Sequence, residues 1–166
     1  LVGSEMCIRD RSTTYSPVHQ IGAKLNFVDI SLSTMNIDPM AVKMAINPYT
    51  KAILAVNLLG NPADLDSLRQ IADEHGLALL EDNCESFGAT VDGQFTGTMG
   101  DMGTYSFFFS HHLQTMEGGM IVTDDESLEI VRPHMTYRLV DSPKEVLEEL
   151  GINEKDISRI RGALAE

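Results

Sequence analysis

Apolar residues fall in short runs along the first four-fifths of the chain, separated by polar, glycine- and proline-marked breaks. "LNFVDI" has the length and composition of a short buried strand. "NIDPMAVKMAIN" has helical spacing, with Asp38 as N-cap, Pro39 at the first helical position and Asn47-Pro48 as the stop. "KAILAVNLLG" is almost wholly apolar, as suits a parallel strand covered on both faces. In "ADLDSLRQIADEHG", Leu65, Leu68, Ile71 and Ala72 fall on one helical face. Asp64 and Asp66 favour its N-terminal end, and Gly76 closes it. "LALLEDN" is the next strand and ends in acidic residues.

The order strand, helix, strand, helix, strand predicts an α/β layer with a mostly parallel sheet. Ligands of such sheets gather at the carboxyl ends of the strands, where "EDNCE" lies. Glycines at 88, 93, 97, 100 and 103 predict a turn-rich connection with a small hairpin. "TYSFFFS" and "GGMIVTDD" are further strand candidates, joined by a turn that carries His111 and His112. "DDESLEIVR" starts a helix, and "SPKEVLEELG" and "NEKDISRIRGALAE" read as short amphipathic helices. The first dozen residues show no clear period.

Composition narrows the function classes. The chain has 166 residues, 43% of them hydrophobic, which suits one globular domain. A formal net charge of -13 argues against a nucleic-acid surface. It leaves room for a phosphorylated ligand held by backbone N–H groups. Cys7 and Cys84 form no disulfide or zinc pattern. No apolar run is long enough to span a membrane, and the start lacks a signal-peptide core, so the expected location is cytoplasmic.

Several side chains are candidates for chemistry. Asp82, ending a buried strand, either caps the next turn or aims a carboxylate into a ligand crevice, where a protonated ring nitrogen would partner it. Ser106, and less directly Ser110, either bond locally or donate to phosphate oxygens. Gly118 and Gly119 permit tight turns or close ligand approach. Adjacent histidines can share a site only on a turn, and imidazole is the natural proton carrier near neutral pH. A metal site from His111, His112, Glu85 and Cys84 is the alternative, but no spaced His-x-x-x-His or Cys-x-x-Cys signature supports it.

The stretch "LLEDNCESFGATVDGQFTGTMGDMGTYSFFFSHHLQTMEGGMIVTDD" resembles the active-site half of the DegT/DnrJ/EryC1/StrS sugar aminotransferases, fold-type I enzymes dependent on pyridoxal phosphate. Ordinary members resemble "EDCAQ…G…GD…SFFPTKNL…GEGG", in which the lysine forms a Schiff base with the cofactor. Aligning Glu117-Gly118-Gly119 with that ending puts His111 in the lysine's place. "SHHLQTMEGG" resembles the signature of a subgroup, the NDP-4-keto-6-deoxyhexose 3-dehydratases of lipopolysaccharide and dideoxysugar biosynthesis.

The resemblance implies a partial fold-type I large domain, with a mostly parallel sheet and helices on both faces. It assigns Asp82 to the pyridine nitrogen, Ser106 to the cofactor phosphate and Glu85 to the ring, where many relatives have glutamine. His111 becomes the base. Histidine cannot hold the covalent link, so the cofactor would rest as free pyridoxamine phosphate or unlinked pyridoxal phosphate. In the implied reaction, pyridoxamine phosphate condenses with the C4 ketone of a nucleotide sugar. His111 removes a proton from the cofactor's C4′ carbon, and the 3-hydroxyl leaves. Glutamate or a reductase partner completes the cycle.

The motifs cover residues 15–131. Residues 1–14 are expected to be a leader foreign to the family, and 132–166 a helical tail that does not match it. A second subunit completes the site in the family, so this chain alone is expected to bind cofactor weakly or not at all. An aminotransferase would need a catalytic lysine, and Lys24, Lys43 and Lys51 all lie far upstream of the turn. An inactive remnant is the third reading.

Overall fold

A computed structural model describes residues 2–4, 12–115, 118–125 and 139–140. Its frame is a seven-stranded sheet in the order β2-β1-β3-β4-β7-β8-β9. The strands are β1 (Val2–Ser4), β2 (Asn26–Val28), β3 (Ala52–Val56), β4 (Ala78–Asp82), β7 (Met102–Ser106), β8 (Gly119–Val122) and β9 (Leu139–Val140). Every pairing is parallel except β7 with β8. The short hairpin expected in the glycine-rich connection is β5 (Thr90–Val91) with β6 (Gln94–Phe95).

The helices form where capping and periodicity agree. In α2 (Pro39–Ala45) the Asp38 side chain accepts a hydrogen bond from Met40 N at 2.9 Å, and the helix ends before Asn47-Pro48. In α3 (Leu65–His75) Asp64 caps Ser67 N, and Gly76 takes the left-handed conformation, φ 62°, that a C-cap requires. The Leu65, Leu68, Ile71 and Ala72 face is buried against Ile53, Ala55 and Leu79 of the sheet.

Strand alternation then sorts the sheet into two unlike faces. On the α3 face, the in-register residues Ile53, Ala55, Leu79, Glu81, Gly103, Tyr105, Met120 and Val122 are all buried. On the opposite face, Leu54, Val56, Leu80, Met102, Thr104, Ser106 and Ile121 are half-buried, and Asp82 is buried among them. The helix α1 (Ser12–Gln20) lies on this second face, since Thr14 bonds to Asp82. Helices therefore cover both faces of a mostly parallel sheet.

The structure differs from the sequence expectation at three places. "LNFVDI" yields only a three-residue edge strand in which Val28 is buried and Phe27 half-exposed. The strand expected over "TYSFFFS" stops at Ser106, whose Oγ accepts from Phe108 N at 3.3 Å and folds the chain out of the ladder. Finally, β1 lies in the first dozen residues, where no period was legible, and α1 follows from Ser12 in a stretch to which the sequence assigned no element. The helix read in "DDESLEIVR" lies outside the described residues from Glu126 on, and those read in "SPKEVLEELG" and "NEKDISRIRGALAE", like Cys7 and Glu117, lie outside them altogether.

Candidate active site

The carboxyl ends of β3, β4 and β7 lie side by side, with Val56, Asp82 and Thr104 in register. Asp82 ends β4 and is 7% exposed. Both of its oxygens are engaged: Oδ1 accepts from Cys84 N at 3.1 Å, and Oδ2 from Thr14 Oγ1 at 2.8 Å. The two sequence readings of Asp82 thus coexist, because it caps the turn after β4 while its side chain lies on the half-buried face. Ser106 lies on the same face, two residues beyond Thr104 at the end of β7. Alternation alone brings these two predicted residues to one side of the sheet.

Glu81, one residue before Asp82, points the other way and is fully buried. Its Oε1 accepts from Met99 N at 2.9 Å and Gly100 N at 2.7 Å. Its Oε2 accepts from Gly97 N at 2.6 Å and Asn57 Nδ2 at 3.1 Å. A buried carboxylate thereby ties the end of β3 and the glycine-rich loop to β4. That loop must be glycine where it crosses β7. A Cβ on Gly103 would strike the Gly97 backbone, and one on Gly97, which has φ +89°, would strike the Tyr105 ring. Burial, and secondarily Glu81, push the Tyr105 hydroxyl well above the usual phenol range, and it donates to Thr96 O. Sequence reasoning missed Glu81. The available signal was an acidic residue inside an otherwise buried strand.

The connection from β7 to β8 separates the two histidines. Phe107 N donates to Gly118 O at 2.9 Å, His111 N to Phe108 O at 2.9 Å, and Thr115 N to Phe107 O at 2.9 Å. Phe107 packs on Phe87, which packs on Tyr105, with ring centroids 6.0 and 5.4 Å apart. Within this folded turn His111 is buried, 7% exposed, while His112 is exposed. One imidazole therefore faces the protein and the other water. Ser110 is exposed on the same turn.

Glu85 lies in the turn after β4 and is half-buried. Its Oε2 is buried and has no hydrogen-bond partner among the described residues, as is also true of Asn83 Nδ2. Among the described residues, no group of three or more His, Cys, Asp or Glu side chains is placed to hold a metal ion. The described lysines, Lys24, Lys43 and Lys51, are all exposed, and Lys43 pairs with Glu74 at 3.0 Å. Thr14, which the sequence reading left in the leader, had no signal beyond a hydroxyl in a polar stretch. Its contact with Asp82 spans 68 positions.

The model of the DegT/DnrJ/EryC1/StrS aminotransferase family matches residues 11–157. The chain belongs to this family. The match extends past both ends of the 15–131 span that carries the motifs. GDP-4-keto-6-deoxy-D-mannose 3-dehydratase of Yersinia pseudotuberculosis is 56% identical over 117 residues, which are 70% of this chain and 30% of that protein. A crystal structure of GDP-4-keto-6-deoxymannose-3-dehydratase with a trapped PLP-glutamate geminal diamine matches at TM-score 0.70 and 50% identity. That match covers 75% of this chain and 32% of the other. The Escherichia coli GDP-4-keto-6-deoxy-D-mannose-3-dehydratase with bound hydrated PLP matches at TM-score 0.66 and 56% identity, covering 69% and 30%. The chain thus spans about a third of the length of these relatives, and its sheet is that of a fold-type I large domain. No helix among the described residues is long and apolar enough to cross a membrane.

Proposed function

We propose that this chain carries the catalytic layer of a nucleotide-sugar 3-dehydratase, which removes the C3 hydroxyl of an NDP-4-keto-6-deoxyhexose in lipopolysaccharide or dideoxysugar biosynthesis. The observation that carries the reading is the buried His111 in the turn where the family pattern has its Schiff-base lysine. The relatives named above, matching at 50–56% identity, are GDP-linked 3-dehydratases, which favours a GDP sugar as substrate. The reaction would run in the cytoplasm in a homodimer, with glutamate or a reductase partner closing the cycle.

The residues fit pyridoxal or pyridoxamine phosphate. Asp82 presents a fixed, buried carboxylate suited to a protonated ring nitrogen. Ser106 brings a hydroxyl to the same face, suited to a phosphate oxygen. The orphaned Glu85 Oε2 is a buried acceptor that needs a donor. When bound, the cofactor supplies an electron sink that makes an adjacent C–H acidic and a neighbouring hydroxyl able to leave.

The protein's own part follows from placement. Asp82 holds the ring charged through its carboxylate. Ser106 anchors the phosphate, and Glu85 orients the ring edge. His111, shielded from water in its turn, takes up the proton that must leave and returns one to the departing hydroxyl. With histidine in the lysine's place the cofactor is held without a covalent link. Borohydride reduction of the full-length gene product loaded with pyridoxal phosphate tests this. Intact mass is expected to show unmodified protein, and a cofactor adduct on lysine would indicate an aminotransferase instead. His111→Asn is expected to retain cofactor and lose dehydration by at least about a hundredfold, the usual scale of general acid–base catalysis. A fully active variant would remove His111 from the role of base.

A further inference from the structure

Thr14 lies on α1, 68 residues before Asp82, and its hydroxyl donates to Asp82 Oδ2 at 2.8 Å. An ionised carboxylate is acceptor-only, so the threonine hydroxyl must be the donor. The other oxygen is already fixed by Cys84 N. One bond on each oxygen leaves the carboxylate no free rotation about its terminal torsion. Each oxygen still has a lone pair for a further donor. Asp82 itself stands on a strand locked in register between Val56 and Thr104. Asp82 thus has a fixed backbone and a fixed carboxylate plane, and the second depends on a residue from a different layer of the fold.

We infer that Thr14 is a positioning residue: its hydroxyl orients the Asp82 carboxylate for the ring nitrogen of the cofactor and couples α1 to the occupancy of the site. The inference rests on the cofactor role proposed for Asp82 and adds to it a second group through which that role operates. Removing the hydroxyl frees the carboxylate to turn away, weakening its bond to the ring nitrogen. Cofactor affinity should then fall together with the protonation of that nitrogen. A purely structural tether between α1 and the sheet would change stability without changing the electronic state of the ring.

The test uses the full-length gene product with Thr14→Val, which keeps the shape and removes the donor, and Thr14→Ser, which keeps the donor. Asp82→Asn is the control. Pyridoxal phosphate labelled with 15N at the ring is titrated into each, with affinity read by absorbance and ring protonation by the 15N resonance. Melting without cofactor shows that each variant is folded. Thr14→Val is expected to bind about tenfold more weakly, the scale of one hydrogen bond to a charged group. Its 15N resonance should move toward neutral pyridine, and Thr14→Ser should stay within about twofold of wild type. Unchanged affinity and resonance in Thr14→Val would overturn the inference, as would a Thr14→Ser variant as impaired as Thr14→Val. If Asp82→Asn binds and titrates like wild type, or wild type does not bind, the role of Asp82 fails and the inference with it. If Asp82→Asn is impaired and Thr14→Val is not, only the inference fails.

Discussion

Glu81 and Asp82 are adjacent carboxylates with opposite tasks. The strand turns one into the helix-covered core and the other onto the half-buried face. Glu81 is saturated with donors, three of them backbone N–H groups of the glycine-rich loop. Glu81→Gln would set an amide NH2 against those donors, with an expected loss of about 3 kcal/mol read from the urea midpoint. Asp82→Asn leaves the packing in place and should act on cofactor binding far more than on stability. The histidine pair divides in the same way. His111→Asn should alter turnover, whereas His112→Asn, at an exposed position, should leave both turnover and melting temperature close to wild type.

At the scale of elements, the loop between β6 and β7 depends on close backbone approach. Gly103→Ala should destabilise the protein by at least about 3 kcal/mol, because the obstacle is the Gly97 backbone rather than a side chain that can move aside. The junction of α3 with that loop has a pH signature. Asp101 Oδ2 accepts from Leu79 N at 2.7 Å and Arg69 Nη1 at 3.0 Å. Burial alone would raise its carboxyl, but the Leu79 N–H and the Arg69 guanidinium outweigh burial and hold it below the ordinary value. A pKa depressed by folding stabilises the protein above the unfolded value of about 3.9, and that stabilisation is lost as pH falls through the folded pKa. The Asp101 side chain is 52% exposed, so solvent screening keeps the effect to about 0.5–1 kcal/mol. Asp101→Ala should therefore melt below wild type at pH 7, with the difference shrinking below about pH 4. A constant difference across that range would assign the effect to packing.

Across the whole molecule, the parts legible in the sequence were those governed by local rules. The caps of α2 and α3, the apolar face of α3 and the buried parallel strands follow from spacing and from Asp38, Asp64 and Gly76. Asp82 stood out as a candidate because it ends a buried strand, where ligands of a parallel sheet gather, whereas Ser106 was read inside a longer strand and is a strand end only in the fold. His111 became the candidate base only through family resemblance, since no physical rule marks it apart from His112 before the turn is folded. Thr14 was not legible, because its partner lies 68 positions away, and Glu81 showed only as an acidic residue in a buried strand, its partners lying 16–24 positions away. The end of β7 was misplaced because three consecutive phenylalanines read as strand, and a serine side chain ended it instead.

The proposed exchange of a Schiff-base lysine for a proton-moving histidine is tested most directly by product analysis. The full-length gene product would be incubated with GDP-4-keto-6-deoxymannose, pyridoxal phosphate and glutamate, and the nucleotide sugars identified by mass spectrometry and NMR. The expected product is a sugar that has lost its C3 hydroxyl and keeps its C4 ketone, absent from His111→Asn. A 4-amino sugar that retains the C3 hydroxyl would contradict the proposal.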